Sequence, residues 1–280
     1  MTYFKRVPDS ALRPYVESIG IQDSAERSTA RTRILPTGTM DLLFHYGDRF
    51  VRRGRDGDAA EPVAYVTGQR SSPIDVAASG GTGIVIVALY PWGLSAFTTM
   101  PAHLFADDSI DLADVFGSGS LSALQDRLFE ARTPARRIQL VEHFLLRQLR
   151  PESVDRVAID SANVINLAGG TTIIAELAQR YGMSKRQLDR RFLDAVGTTP
   201  KRFARVMKFQ KALFGLSLGT NLADVAARAG YHDQSHMNRD FRQFAWTTPE
   251  HLVRSRRETP LTACFNGAPV SHFYNTTYLA

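Results

Sequence analysis

The sequence predicts an α+β chain: a small antiparallel β-sheet or barrel with helices over residues 1–152, an all-α double helix-turn-helix unit over 153–257, and a tail over 258–280. Three observations predict it. Apolar residues recur with a period near two in the first ninety residues and with a helical period afterwards. The stretch from Ile173 to Pro200 is repeated in kind from Leu222 to Pro249. Charge is split as well, since Lys and Arg outnumber Asp and Glu by sixteen to eight over residues 161–280 but stand at eighteen to twenty over 1–160.

The strand pattern covers Tyr15 to Gln22, Met40 to Tyr46, Val63 to Thr67, Ile74 to Ala77 and Gly83 to Tyr90, each run ended by Gly, Pro or Asp clusters. Ser79-Gly80-Gly81-Thr82-Gly83 reads as a hairpin turn, because it lacks the lysine and the strand-then-helix setting of a phosphate loop. Past Pro91-Trp92-Gly93 the period turns helical, with amphipathic segments at Leu121 to Ala131 and Pro134 to Leu149. The second carries Ile138, Val141, Leu145 and Leu149 on one face, which suits either a partner helix or the cover of a sheet. Pro151 and the polar run to Asp155 mark the expected boundary.

In the repeat, Ala178, Gly182, Met183, Leu188 and Phe192 of the first copy correspond to Ala226, Gly230, Tyr231, Met237 and Phe241 of the second. Two helices crossing steeply need a small residue where they approach and a glycine where the chain turns, which is the helix-turn-helix pattern. Between copies the offset drifts from 48 residues at the glycines to 49 at the phenylalanines, so the second turn is one residue longer. Ser184 with Gln187 has capping-box spacing, Asp233 can cap the second recognition helix, and Thr199-Pro200 and Thr248-Pro249 start two more helices.

With Leu188 and Phe192 inward, the first recognition helix presents Lys185, Arg186, Asp189 and Arg190; the second presents Gln234, Ser235, Asn238 and Arg239. Arg suits a guanine edge and Asn or Gln an adenine edge, so both faces carry groups fit for the major groove of double-stranded DNA. Between them a helix from about Pro200 to Leu213 forms a rigid spacer carrying Lys201, Arg202, Arg205, Lys208 and Lys211, from which phosphate contacts are expected, with His236 as a further phosphate or packing contact. A basic excess confined to this half is what a polyanion partner requires.

Residues from about 155 to 257 resemble the DNA-binding domain of the AraC/XylS family of bacterial transcription regulators. The segment Ile174-Ala175-Glu176-Leu177-Ala178 through Leu188 and Phe192 is similar to that family's first unit; Asp224-Val225-Ala226 through Gly230-Tyr231, Asp233-Gln234-Ser235-His236-Met237, Arg239 and Phe241 is similar to its second. The resemblance implies base reading from Arg186, Asp189 and Arg190 and from Gln234, Ser235, Asn238 and Arg239. It also implies a sensory or dimerising N-terminal domain, a habit of activation and an encounter with RNA polymerase. Where the family places a glycine after the second recognition helix this chain has Trp246, so that helix is expected to end differently, with Trp246 packed in the core in preference to meeting DNA. Leu35-Pro36-x-Gly38 with Asp41-Leu42-Leu43-Phe44, and Tyr90-Pro91-x-Gly93 with Phe97, resemble one uncharacterised branch of such N-terminal domains. An unknown small-molecule effector would there meet Phe44, Tyr65, Tyr90, Trp92 and Phe97, with His45 or Arg70 orienting a polar group.

Other classes fit less well. His232-Asp233-Gln234-Ser235-His236 imitates a zinc pair, but with Asp233 as cap His232 falls in the turn and the rings diverge. No cofactor motif, catalytic order of residues or metal ligand set stands out, and Cys264 alone forms no internal disulfide. No apolar run approaches the roughly 20 residues that span a bilayer, so a cytoplasmic regulator without a membrane partner is expected. A homodimer on DNA is one expectation. The alternative is a helical protein-interaction module without sequence-specific DNA binding.

Overall fold

The computed structural model describes residues 2–24, 31–54 and 57–258. The tail with Cys264 and the aromatic residues 265, 273, 274 and 278 lies outside the described residues. Among the described residues no helix is long and apolar enough to cross a membrane.

Among the described residues, ten antiparallel strands make two sheets. The larger has the order β1 (Thr2–Arg6), β2 (Val16–Ser24), β9 (Thr82–Leu89), β4 (Met40–His45), β7 (Ala64–Thr67) and β10 (Ser109–Asp111). The smaller has β3 (Arg31–Ile34), β8 (Ile74–Ala78), β5 (Phe50–Gly54) and β6 (Gly57–Ala60). All five strands expected from period two are present; β3, β5 and β6 have no such signal, because arginines, glycines and small residues fill them. Residues 79–81 correct one expectation: they join β8 of the small sheet to β9 of the large one, so they form a crossing between sheets, not a hairpin.

The large sheet has two apolar faces. Met40, Leu42, Phe44, Val66, Val85, Val87 and Leu89 share a core with the helices α1 (Leu112–Phe116), α2 (Ser118–Glu130) and α3 (Pro134–Gln148). On α3, Ile138, Val141 and Leu145 are fully buried in that core, so its stripe covers the sheet and is not the partner-facing surface it could have been. Leu43, Tyr65, Ile84 and Ile86 lie on the opposite face, against Phe50 of the small sheet. Burial on both sides is why β9 reads as a continuous apolar run.

Among the described residues, seven helices follow: α4 (Arg156–Leu167), α5 (Ile174–Arg180), α6 (Lys185–Val196), α7 (Pro200–Ser217), α8 (Leu222–Arg228), α9 (Gln234–Ala245) and α10 (Pro249–Glu258). Their shared core contains Leu188, Phe192, Phe203, Phe209, Met237, Phe241 and Phe244, and two residues of the first half, Leu35 and Trp92, are buried members of it. The loop before β4 makes that joint. Gly38 has φ +82 and leaves no room for a Cβ against Met207 Cε, so its backbone lies directly on α7. Gln210 of α7 donates to the Pro36 carbonyl, and Gln69 Nε2 donates to the Gly38 carbonyl at 2.8 Å.

Candidate nucleic-acid interface

Both units have the expected build. α5 and α6 are joined by residues 181–184, and α8 and α9 by residues 229–233, one residue more. Ser184 and Gln187 close a capping box on α6, and Asp233 accepts from the His236 amide at 2.7 Å to cap α9. Thr199 caps α7 and Thr248 accepts from the His251 amide. Each recognition helix buries an apolar stripe: Leu188, Phe192, Ala195 and Val196 on α6, and Met237, Phe241, Phe244 and Ala245 on α9. The opposite stripes are open. Lys185, Arg186, Arg190, Gln234, Ser235 and Arg239 are exposed, and Asp189 and Asn238 are half-buried. Lys185 and Asp189 sit 3.7 Å apart one turn along α6, so the lone acid of that face is held by its own helix.

The residues expected on phosphate divide. Lys201 is exposed and Arg202 half-buried near the start of α7. Arg205 is turned inward: it pairs with Asp240 Oδ1 at 2.5 Å and donates to Gln243 Oε1 at 2.8 Å. Lys208 Nζ donates to the Gly230 carbonyl at 3.0 Å. These two side chains fasten α7 to the second unit, because a helix buried along most of its length has few directions left for its cations. Lys211 lies beside Gly169. His236 sets its ring edge-on to Tyr231, while His232 contacts Asp233 at 3.1 Å, so the two imidazoles are engaged separately. At 18 residues, or about 27 Å, α7 is longer than the sequence pattern suggested.

Trp246 requires a second correction. It is 52% exposed and outside the core, and it takes φ 53 and ψ 26, the left-handed geometry that Gly197 gives the first unit. The second recognition helix therefore ends as the first does, with a bulky residue where glycine is cheap. Arg33 of β3 lies 5.0 Å from the Trp246 ring centroid, donates to the Ala245 carbonyl at 3.5 Å, and is held from behind by Asp75 at 2.8 and 2.9 Å. A cation thus sits at the negative end of α9.

The seven residues expected around an effector fall in separate places. Phe44 packs edge-on to Phe144 under α3, Phe97 packs edge-on to Tyr15, and Trp92 is buried among the helices with Tyr90 stacked on it at 5.2 Å. Strand alternation puts neighbouring residues on opposite faces, so an aromatic count along a strand cannot assemble a pocket. His45 and Tyr65 do face the space between the sheets, stacked at 5.9 Å. Arg70 lies at its edge, donating to the Asp107 carbonyl and Ser109 Oγ at 3.1 Å each.

Three groups not singled out from the sequence share that interior. Register places Ser18, Ala88, Asp41 and Thr67 in one row across the large sheet, and Gln22, Ile84 and His45 in another. Burial pushes the Asp41 carboxyl up to about 7, and burial together with the nearby Asp41 charge does the same to Glu17, with Lys5 opposing. Burial and Arg49 hold His45 down at about 4, neutral. The available signal was an acid standing inside an apolar run, as in Met40-Asp41-Leu42-Leu43.

A family described as "Helix-turn-helix domain" matches residues 177–255, and one described as "Domain of unknown function (DUF6597)" matches residues 5–111. The HTH-type transcriptional regulator CdhR of Pseudomonas aeruginosa is 25% identical over 190 residues, 61% of this chain and 55% of that protein. The chain thus carries a helix-turn-helix domain at residues 177–255. The chain spans about half the length of the curated relative it matches. Among solved structures, ToxT from Vibrio cholerae is 7% identical with a TM-score of 0.46, covering 91% of this chain and 98% of that one. The AraC-like transcriptional activator CuxR is 12% identical with a TM-score of 0.27, covering 79% and 89%.

Proposed function

We propose that this chain is a sequence-specific DNA-binding transcriptional regulator, without enzymatic activity, working in the cytoplasm. One observation carries the reading: two helix-turn-helix units of the same build flank a single rigid helix, and both keep their polar recognition faces open to solvent. Arg186 and Arg190 on α6, and Gln234, Asn238 and Arg239 on α9, are the groups assigned to base edges, with Asp189 held ready by Lys185. Lys201 and Arg202 are assigned to phosphate. A small molecule held between the two sheets regulates it, because β4 runs from that interior straight into the loop lying on α7.

The test is selection from a random duplex pool followed by gel shift. A defined sequence should be enriched, its affinity should fall steeply with salt, and Arg186→Ala or Arg239→Ala should each weaken the preference at the bases that side chain reads while leaving the fold intact. Failure to shift any sequence at low salt would leave a protein-interaction module as the better reading. A homodimer on DNA belongs to the proposal and is read by light scattering of the complex; the stripe of Ile138, Val141 and Leu145 on α3, buried against the sheet, is not available as its interface.

A further inference from the structure

The turn into α9 is propped, and the turn into α6 is not. Gly182 and Gly230 hold the same place in the two units, and both have positive φ, +64 and +78. A Cβ on Gly182 would meet nothing within 4 Å among the described residues, whereas a Cβ on Gly230 would lie 2.4 Å from Thr171 Cγ2. Thr171 belongs to the loop that joins α4 to α5, so the lead-in to the first unit rests directly on the turn of the second. Lys208 of α7 reaches the same glycine, its Nζ donating to the Gly230 carbonyl at 3.0 Å.

The loop is itself anchored. Gly170 lies so near α7 that a Cβ there would stand 2.0 Å from the Ala204 carbonyl oxygen and 3.0 Å from Lys208 Cγ, and one on Gly169 would stand 2.8 Å from Lys211 Cδ. The loop amides are spent on the end of α4, Gly169 donating to the Asn166 carbonyl at 2.7 Å and Gly170 to the Ile165 carbonyl at 2.8 Å. Thr171 Oγ1 donates to the Ala168 carbonyl at 2.8 Å while its methyl meets Gly230. Two adjacent glycines thus seat the loop on α7 and present one β-branched side chain, stiff at χ1, to the second unit.

We infer that residues 169–171 are a strut that sets the direction of the second recognition helix relative to the first, with Thr171 and Lys208 as positioning residues for the spacing between half-sites. Phe209 packs on Phe241 and Phe244 at ring-centroid distances of 4.9 and 5.3 Å, which fixes how far α9 stands from α7. Toward the N-terminus of α9 the buried side chain is Met237, unbranched and adaptable, where α6 has Leu188. Direction therefore needs a second support at the end that carries Gln234 and Ser235, and the strut supplies it just ahead of them. One base pair inserted between half-sites turns the second by about 35° and moves it by about 3.4 Å, which stiffly mounted heads reject and loosened heads accept. The inference rests on the reading of the chain as a DNA regulator with two reading heads, and adds to it residues that touch no base.

The experiment uses the full chain with Thr171→Ser, which removes the methyl and keeps the hydroxyl, Thr171→Val, which does the reverse, and Thr171→Ser combined with Lys208→Met. Affinity is measured for the selected duplex and for duplexes with one base pair added or removed between half-sites. The unsubstituted chain and Thr171→Val should lose about tenfold or more at the wrong spacing and the double variant no more than about threefold, with Thr171→Ser between them. Weakening that is equal at every spacing would assign Lys208 to phosphate or to folding and overturns the inference, as does an unsubstituted chain indifferent to spacing. A readout without DNA is the distance between nitroxide labels on Lys185→Cys and Ser235→Cys in a Cys264→Ser background, taken by pulsed electron paramagnetic resonance. The distribution should be narrow in the unsubstituted chain and in Thr171→Val, and broadened or displaced in the double variant; an unchanged distribution overturns the strut. If the distances respond while no duplex is bound at any spacing, the strut stands and the regulator reading fails.

Discussion

The two helix-turn-helix units share a plan and differ in how they are held. α6 is braced by Arg191 on Asp155, both partly open to solvent, and ends on Gly197 at φ 85. α9 is braced by Arg205 on Asp240, whose side chain is 2% exposed, and ends on Trp246 at φ 53. The first unit uses inexpensive solutions. The second buries a charge and a strained cap, and both are met by groups from other elements, α7 and β3. Duplicated motifs need not be duplicated energetically, and the unit with more external support is the one whose orientation the rest of the chain can alter.

The largest difference should come from the braces. Arg205→Ala strands Asp240, whose Oδ2 is already unpartnered, and should cost about 3 kcal/mol, the low end for breaking a buried pair because Arg205 itself is partly exposed. Arg191→Ala should cost less than about 1 kcal/mol, since Asp155 retains the Val157 and Ala158 amides it caps. Urea denaturation of the full chain compares them. Equal costs would mean that the second unit is no more dependent on buried charge than the first.

The reading faces come next. Arg186→Ala and Arg239→Ala should each lose about 1 to 3 kcal/mol of affinity for the selected sequence with unchanged urea midpoints. A loss confined to one of them would reduce the protein to a single reading head, with the other unit serving as support.

How much of this was legible follows from the range of the forces involved. Caps, turns and apolar stripes act within a few residues, so Ser184 with Gln187 and the extra residue of the second turn could be read from spacing alone. Arg205 could not be told from a phosphate contact, because its partner lies 35 positions along the chain. Trp246 misled for a related reason: propensity assigns that backbone geometry to glycine, and only the fold brings Arg33 to its ring. In the first half, apolar alternation found β2, β4, β7, β8 and β9 and missed the short edge strands β1 and β10 and also β3, β5 and β6, where arginines form ion pairs such as Arg33 with Asp75 and Arg53 with Asp58. The candidate interior was half visible, with His45 and Tyr65 named and Asp41, Glu17 and Gln22 hidden in runs that also serve the core.

The two caps give a smaller effect, distinguished by sign. A Cβ on Gly197 would lie 2.9 Å from both the Ala102 carbonyl oxygen and Met40 Cε, besides adopting a left-handed backbone. Gly197→Ala should therefore destabilise by about 1 to 2 kcal/mol. Trp246→Gly removes a comparable backbone penalty and gives up the contact with Arg33, so its net effect should lie within roughly 0.5 kcal/mol of zero. Thermal unfolding of both variants measures it, and a loss of several degrees for Trp246→Gly would show that the ring does more than cap the helix.

Arg33 isolates the smallest contribution, and the most informative about coupling between the halves. Its guanidinium bridges Asp75 on β8 and the end of α9, so Arg33→Ala removes a surface ion pair, a long hydrogen bond to the Ala245 carbonyl and the cation over Trp246. The ion pair is lost equally in either background; the ring contact is lost only where Trp246 is present. A double-mutant cycle of Arg33→Ala with Trp246→Gly should then show a coupling of about 0.5 kcal/mol. The same cycle in DNA affinity carries the stronger inference. If Arg33 fixes the set of α9, Arg33→Ala should weaken binding at the bases read by Asn238 and Arg239 more than at those read by Arg186 and Arg190. Uniform weakening across the site would mean that the contact stabilises the fold without aiming the helix.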